Sequence, residues 1–262
     1  MPMRRRSFVG SVGAAALAVA LPVQASQTKA GANDATLRAL LDKIFADRLA
    51  ENPEGATALG LDTGKNAALK SQLSGRSPAD SARDLARSKR ELAAVRTIDA
   101  ATLGEDARLD QDVVSYQLER IIAGRERFAY GESGGRFVPY RLSQLSGAYQ
   151  DVPDFLDAQH RVKDSADADA YLARLTAFAT VLDQETERQR SDAAKGVFAP
   201  DYILDTALKH YAAVRDVAPE QTGLVRSFER KLNEARLPDT AAGAPGGVVQ
   251  EKVFPALDRR GG

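Results

Sequence analysis

Two histidines are the side chains of this chain best suited to bind zinc or to transfer a proton near neutral pH. They are His160 and His210. A zinc site of the HExxH type requires two histidines one helical turn apart, with a glutamate between them as the base. His160 is followed by Arg-Val-Lys-Asp and His210 by Tyr-Ala-Ala-Val, so neither begins this motif. The two could still meet in space, but a lone helical histidine is more often a hydrogen-bonded structural residue. We therefore predict no metal ligand and no catalytic residue at either position.

Ionisable side chains at helical i,i+4 spacing are the next candidates for chemistry. Asp183 with Glu187, and Asp167 with Tyr171, form such pairs, and paired acids can perform general acid–base catalysis. The same predicted helix alternates acidic and basic residues, at Glu185, Glu187, Arg188 and Arg190. Alternating charges are typical of a solvated, ion-paired face, and we favour that interpretation over a catalytic one. The chain has no G-x-S-x-G motif to position a nucleophilic serine.

The segment from Pro139 to Asp164, PYRLSQLSGAYQDVPDFLDAQHRVKD, combines tyrosines, amides and carboxylates with glycine and proline. This composition is typical of loops that carry catalytic or binding residues. Tyr140 and Tyr149 could line a pocket, or they could equally anchor the loop on the helices beneath it. The residue types alone leave both interpretations open.

The first 25 residues have the features of an export signal rather than of a folded element. Arginines precede an apolar run that is too short, and too rich in glycine and alanine, to span a bilayer stably. Arg5, Arg6 and Phe8 resemble a twin-arginine signal, which implies the twin-arginine translocase as a partner; an ordinary secretory signal is the alternative. Cleavage is predicted after Ala25, so that the mature chain would be periplasmic or secreted.

Composition excludes several classes of function. Removal of residues 1–25 takes away three of the 36 basic residues and none of the 36 acidic ones, so the mature net charge is −3. Nucleic acid or anionic lipid as the main partner requires a clustered positive surface, and neither is expected. Because the sequence contains no cysteine, it can form no disulfide, thiolate zinc site or thiol nucleophile.

Hydrophobic periodicity after a polar linker at 26–33 predicts an all-α, multi-helix array over residues 34–262. The expected helices begin near Leu37, at Ser77 with Pro78, near Glu105, at Asp164 or Ser165, at Pro200 and at Pro219. Leu109, Val113 and Tyr116 widen the apolar stripe of the third helix, which we expect to be buried on more than one face. Residues 129–153 are expected to be irregular, with a short strand near Arg136 to Tyr140 as an alternative.

The C-terminal residues begin a further helical pattern at Val248 or Val249, and the sequence ends at Gly262 without a cap. We expect this segment to lack a packing partner. A frayed tail and an element that stops part-way are the two interpretations.

Several segments resemble a bacterial family called domain of unknown function 885. The most distinctive are RLSQLSGAYQDVPDFLDAQHRVKDSADADAYLARL and AAKGVFAPDYILD, and the earlier ENPEGATALGLD and ARLDQDVVSYQLE are similar to its N-terminal region. The resemblance covers about residues 34–258. It implies an exported or lipid-anchored helical protein, longer than this chain and similar to zinc metallopeptidases of the gluzincin type. In such relatives the HExxH-like motif lies in the C-terminal half, and zinc is expected only there.

The resemblance thus implies the N-terminal half of a metallopeptidase-like protein, without catalytic residues or a cofactor of its own. Its helices would form one wall of a cleft for a peptide substrate, with Tyr140, Gln144 and Tyr149 as the residues that face it. A complete periplasmic helical module that binds a peptide or a small ligand is the alternative. A half-domain would expose apolar faces, so we also expect marginal stability or association.

Overall fold

Helices account for most of the chain in the computed structural model, which describes residues 31–133, 137–138, 140–143, 145–238 and 244–261. The α-helices are α1 Asp34–Ala50, α2 Pro53–Ala58, α3 Pro78–Arg96, α4 Glu105–Arg127, α5 Ala148–Ala158, α6 Ser165–Ala193, α7 Asp201–Arg215, α8 Gly223–Ala235, α9 Pro245–Val248 and α10 Phe254–Gly261. A π-helical turn, Val249–Val253, joins α9 to α10, and 3-10 segments lie at Gly64–Ser71, Ala100–Thr102 and Pro219–Gln221. The predicted all-α class is confirmed. Within the described residues, no helix is long and apolar enough to cross a membrane.

Side-chain caps fix where two of the predicted helices begin. The Ser77 hydroxyl accepts from the backbone N–H of Asp80 at 3.1 Å, and the Asp80 carboxylate accepts from the Ser77 N–H at 2.8 Å, which is a complete capping box. Pro78 occupies the first helical position, where its missing N–H costs nothing. The Asp164 carboxylate likewise accepts from the N–H of Asp167 at 2.9 Å to begin α6. Both starts agree with the sequence-based prediction.

Helix α6 is the centre of the main hydrophobic core. Its side chains at Tyr171, Leu175, Phe178 and Leu182 are fully buried, and they follow the four-three-four spacing seen in the sequence. α6 contacts α5, α8 and α10, which contribute the other large members of the core. Each fully buried large apolar side chain stabilises the fold by roughly 1.5–3 kcal/mol, so this column of residues holds the surrounding helices around one axis.

The C-terminal segment packs against α6, so the expectation that it lacks a partner was wrong. Helix α9, the π-helical turn and α10 all contact α6. Their buried side chains are Val249, Val253, Phe254, Ala256 and Leu257. The Arg259 guanidinium also forms a two-point ion pair with Asp183 of α6, at 2.9 and 2.7 Å. The spacing predicted the helix correctly, but the surface that receives it is built from residues far away in sequence.

Helix α4, the third of the predicted helices, was expected to be buried on more than one face. The structure corrects this expectation, because α4 is buried on one side only. Leu109, Val113 and Tyr116 are 62%, 51% and 61% exposed. The opposite side packs on α3 and the turn after it, where the Gln111 side-chain amide donates to the carbonyls of Val95 at 3.0 Å and Ile98 at 2.7 Å. The apolar stripe therefore continues around the helix beyond the width that α3 covers.

Residues 129–153, expected to be irregular, contain a short hairpin and a helix. Strands β1 (Glu132–Ser133) and β2 (Phe137–Val138) pair antiparallel, in agreement with the predicted short strand. Helix α5 begins at Ala148 and continues through Pro153, at the end of the stretch expected to be irregular. The helix tolerates the proline because Tyr149, Val152 and Leu156 bury one apolar face in the main core and offset the lost hydrogen bond.

A buried cation joins α6 to the segment between α1 and α3. The Arg174 side chain is completely buried. Its guanidinium donates to the carbonyls of Gln72 at 2.9 Å and Leu69 at 3.1 Å, and to the Thr57 hydroxyl at 2.7 Å. It also donates to His160 Nδ1 at 2.9 Å. Burial lowers the pKa of Arg174 to about 10, so the side chain still carries its charge at neutral pH.

His160 completes this cluster as a neutral imidazole. Since Arg174 donates to Nδ1, the proton lies on Nε2, which donates to the carbonyl of Asp167 at 3.0 Å. Burial, together with the adjacent Arg174 charge, lowers the pKa of His160 from 6.5 to about 4. Both ring nitrogens are engaged, so the histidine acts as a hydrogen-bonded structural residue.

The shifted pKa of His160 makes the stability of the fold depend on pH. The folded-state pKa of His160, about 4, lies below the unfolded value of 6.5. The stability that the neutral His160 side chain contributes to the fold is therefore complete above pH 6.5, and it is lost as pH falls toward 4. The neutral imidazole should account for about 3 kcal/mol of that loss. We expect urea unfolding, followed by circular dichroism from pH 7.5 to 4, to show a shallower decline for His160→Asn than for wild type. His210→Asn, at an exposed position on α7, is the control and should retain the wild-type decline. Parallel curves for wild type and His160→Asn would contradict the assignment.

Candidate functional site

A polar cleft of about 830 Å³ lies between the N-terminal half of α3 and the C-terminal end of α6. The corner between α1 and α2, the turn after α4 and one face of α5 close its other sides. The volume falls within the range of small-ligand and peptide sites. Five segments distant in sequence therefore converge on one concavity.

Basic side chains outnumber acidic ones on the described lining of this cleft. The basic residues are Arg48, Arg76, Arg83, Arg87, Arg125, Arg141, Arg188 and Lys195. The acidic residues are Glu51, Glu54, Asp80, Asp84 and Asp151. The described lining thus carries an excess of three positive charges, whereas the whole chain has a formal net charge of zero. Phe128, Tyr130 and Phe155 add aromatic surface between the charges.

Two guanidinium groups converge on Ser81, in the first turn of α3. Arg188, on α6, donates to the Ser81 hydroxyl at 2.7 Å, and Arg125, on α4, donates to the Ser81 carbonyl at 3.2 Å. Arg125 also lies 3.4 Å from the carboxylate of Asp84. The first turn of α3 is therefore held between two arginines that come from different helices.

The turn after α4 is tied to the C-terminal end of α6. Gly131, with a φ of 63° that favours glycine, donates its N–H to the Asp192 carboxylate at 3.0 Å. Arg188 donates to the Gly131 carbonyl at 3.3 Å, and Lys195 donates to the Ala129 carbonyl at 2.9 Å. These bonds fix one edge of the cleft to α6.

A third arginine, Arg76, lies between two carboxylates at the opposite side of the cleft. Arg76 contacts Asp151 at 3.0 Å and Glu185 at 3.3 Å. Burial opposes its charge, but the adjacent carboxylates more than compensate and raise the pKa of Arg76. Glu185 in turn accepts from the N–H of Ala148 with both oxygens, at 3.1 and 2.9 Å, and so satisfies the first turn of α5.

Of the residues predicted to face a cleft, none is among the described residues that line this one. The Tyr149 side chain is buried, donates to the Ser143 carbonyl at 2.9 Å and lies beside the ring of Tyr211. Tyr140 is half-buried, and Gln144 lies outside the described residues. The same stretch of sequence instead contributes Arg141, Asp151 and Val152 to the lining. A role of the three predicted residues toward substrate stays a prediction.

The described residues hold no group of three or more His, Cys, Asp or Glu side chains that could bind a metal ion. Donors for zinc are therefore not assembled in the part of the chain that the structure describes. The ionisable pairs noted in the sequence have other partners: Asp183 binds Arg259, Asp167 accepts from Lys70 at 2.6 Å, and Tyr171 donates to the Leu224 carbonyl at 2.8 Å. The export-signal residues Arg5, Arg6, Phe8 and Ala25 lie outside the described residues.

Sequence reasoning missed the cleft because it took the charged residues of α6 as one solvated face. Glu187 is exposed as expected, but Glu185, Arg188 and Asp192 are buried. These three follow one another at intervals of three and four residues, which places them on one side of α6. That spacing was the available signal, and it was hidden by the alternation of charge sign along the chain.

The sequence model of the family described as "Bacterial protein of unknown function (DUF885)" matches residues 53–260. A crystal structure of a protein from Colwellia psychrerythraea, provisionally described as a lipoprotein, superimposes with a TM-score of 0.74 at 20% identity. The match covers 86% of this chain and 40% of that one, so this chain spans about two fifths of the length of that protein. At this identity the likeness concerns the fold. A search of curated proteins found no match.

The buried carboxylate of Glu185 provides a test of the arrangement at the cleft. We expect Glu185→Gln to lower the free energy of unfolding by about 2 kcal/mol, because Arg76 loses a buried counter-charge and α5 loses one of two acceptors. Glu187→Gln, two residues away and exposed, is the matched control and should change stability by less than about 0.5 kcal/mol. Urea unfolding at pH 7 measures the free energy of unfolding of both variants. Equal effects of the two substitutions would show that Glu185 does not stabilise the contact between Arg76, α5 and α6.

Proposed function

Because the chain belongs to the DUF885 family of bacterial proteins, we propose that it supplies one helical wall of the substrate cleft in an exported zinc metallopeptidase-like protein. The substrate is a peptide. In this proposal the present residues bind and orient the substrate, and the hydrolytic chemistry belongs to residues that this sequence does not contain.

The cleft between α3 and α6 is the observation that supports this proposal. It is concave, large enough for several residues of a peptide, and lined by donors, acceptors and aromatic faces together. Its walls are held by buried hydrogen bonds, such as those of Asp192 and Glu185. A binding surface held rigid in this way loses little conformational entropy when a ligand arrives. Almost all of its lining lies within the residues that match the family.

Zinc has no suitable place among the described residues. His160 uses both ring nitrogens inside the core, and His210 lies exposed on α7. Neither histidine begins an HExxH segment. We therefore assign no hydrolytic step to these residues, and propose that the chain is inactive by itself.

Export is part of the same proposal. Arg5, Arg6 and Phe8 would engage the twin-arginine translocase, with cleavage after Ala25 and a mature helical domain over residues 34–262. The mature protein would then be periplasmic or secreted. This route carries proteins that have already folded.

The isolated chain tests the proposal that these residues neither bind zinc nor hydrolyse peptides by themselves. We expect purified protein, after incubation with zinc and dialysis, to retain well under one zinc per chain by mass spectrometry of the metal content. We also expect no turnover of a mixed library of short peptides. Stoichiometric zinc together with peptide hydrolysis by this chain would refute the proposal.

A test of the predicted cleft-facing residues Tyr140 and Gln144 requires a full-length relative, in which peptide turnover can be measured. We expect substitution of the residues matching Tyr140 and Gln144 by alanine to raise KM by about tenfold, equivalent to about 1.4 kcal/mol of lost binding, with a smaller change in kcat. Unchanged peptide turnover and binding in that variant would remove these two residues from the substrate cleft.

A further inference from the structure

An exposed stripe runs along α4 on the side turned away from the cleft. Its large apolar residues are Leu109, Val113 and Tyr116, spaced by four and three positions, and each is more than half exposed. Arg125, which lines the cleft, lies sixteen positions after Leu109. Successive residues are about 100° apart around a helix, so Arg125 lies about 160° away from Leu109. The described part of the chain leaves this apolar stripe open to solvent.

Charged side chains on the same stripe differ in sign between its two ends. Glu105 and Asp112 lie toward the N-terminal end of α4, and both are exposed. Arg120 and Arg127 lie toward the C-terminal end and are exposed as well. Arg108, near the acidic end, donates to backbone carbonyls of the turn before α4. The stripe is therefore acidic at one end, apolar in the middle and basic at the other end.

Helix α3 engages the acidic residues that lie near the basic end. Glu119 pairs with Arg96 and Glu126 pairs with Lys89, each at 2.5 Å. These carboxylates lie on the flank of α4 that packs against α3. The open stripe therefore keeps its basic character at this end.

The charged residues of the stripe are placed symmetrically about Tyr116. Asp112 and Arg120 lie four positions before and after it, and Glu105 and Arg127 lie eleven positions before and after it. When two copies of one helix pack antiparallel about a two-fold axis, each residue lies level with the residue at the equal distance beyond the axis. An axis at Tyr116 therefore brings a carboxylate level with a guanidinium at every one of these charged positions.

The geometry points to a second copy of this chain as the occupant of the stripe, and we propose an antiparallel α4–α4 dimer with its two-fold axis at Tyr116. Leu109 then lies level with the exposed Ala123 of the partner subunit, each seven positions from the axis. A parallel pairing would place like charges side by side, which opposes association. The inference goes beyond the proposed function and does not depend on it, because the stripe lies on the side of α4 opposite the cleft.

A second copy fits the stripe better than a lipid surface does. Helices that lie on membranes are rich in lysine and arginine on their polar face, whereas the two acids and two arginines of this stripe cancel in charge. Permanent dimers bury larger and more hydrophobic surfaces than one helix offers. We therefore expect a reversible dimer with a Kd of about 10 to 100 μM.

A single introduced cysteine can report the position of the axis, because the sequence contains no cysteine of its own. Tyr116→Cys places the two thiols at the axis, where packed helices bring Cα atoms to the roughly 5–6 Å that a disulfide requires. Ala123→Cys is the matched control on the same stripe, since its two copies lie about 21 Å apart along the helices. After mild oxidation, we expect non-reducing electrophoresis to show a linked dimer for Tyr116→Cys and about tenfold less for Ala123→Cys.

Charge reversal at Asp112 and Arg120 tests the pairing in solution by sedimentation velocity. Asp112→Arg brings two arginines level, Arg120→Asp brings two carboxylates level, and the two-fold axis repeats each contact. Each variant alone should therefore dimerise about tenfold more weakly than wild type. An equimolar mixture of the two variants restores opposite charges at both contacts, and its Kd should return to within about threefold of the wild-type value. Because both positions are exposed, urea unfolding should show wild-type stability for both variants.

Three results would overturn the proposed dimer. The first is a wild-type chain that stays monomeric up to about 500 μM, well above the expected Kd. The second is a dimer that neither charge reversal weakens, or that links equally through Tyr116→Cys and Ala123→Cys, because its contact would then lie elsewhere. The third is a monomeric chain that sediments with phosphatidylcholine vesicles and loses this binding in Val113→Glu, which would assign the stripe to a lipid surface. Proteolytic turnover plays no part in these measurements, so their failure would leave the proposed function standing.

Discussion

The fully buried guanidinium of Arg174 is the interaction on which the arrangement of the cleft depends. A charge in the protein interior is costly unless hydrogen bonds replace its hydration. Here the replacement comes from backbone carbonyls between α1 and α3 and from one imidazole, with the ring of Phe155 4.7 Å away. Because those acceptors must surround α6, the chain from residue 53 to residue 72 is held against that helix. The charged side chain of Arg174 thus positions residues 53–72, a region that has few large apolar side chains of its own.

The cleft follows from this placement. Beyond Gln72 the chain reaches Ser74, whose N–H and hydroxyl donate to Glu54, and Arg76, whose N–H donates to Gln184 at 2.9 Å. These bonds bring the start of α3 beside the C-terminal part of α6. Ser77 then begins α3 at the point where Arg125 and Arg188 meet on Ser81. These hydrogen bonds between polar groups therefore position the charged wall of the cleft at the C-terminal part of α6, while the apolar core packs on residues 171–182 of the same helix.

One buried side of α6 serves both core and cleft, because its chemical character changes along the helix. Tyr171, Leu175, Phe178 and Leu182 make it apolar first, and Glu185, Arg188 and Asp192 continue it as a buried polar stretch nearer the C-terminal end. Buried charges are tolerated only when paired and hydrogen-bonded, and these three are held by Arg76, Ser81 and Gly131. On α4 the opposite situation holds, since Leu109, Val113 and Tyr116 remain apolar and exposed. Contiguous apolar surface of this kind is a candidate contact region, and none of the residues that the structure describes covers it.

The sequence by itself determined the helical class, the starts of α3 and α6 and the column of apolar residues along α6, because each rests on local periodicity or on capping within a few residues. It also contained the resemblance that the family match confirms. Only the tertiary structure decided which charged residues are buried, where the C-terminal segment packs, and that α5 forms across Pro153. The physical reason is that burial of Arg188 or Glu185 is set by partners such as Ser81 and Ala148, which lie far away in sequence. The spacing of residues along one helix does not indicate such distant partners. The cleft can therefore be identified only from the tertiary structure, in which α3, α4 and α6 come together.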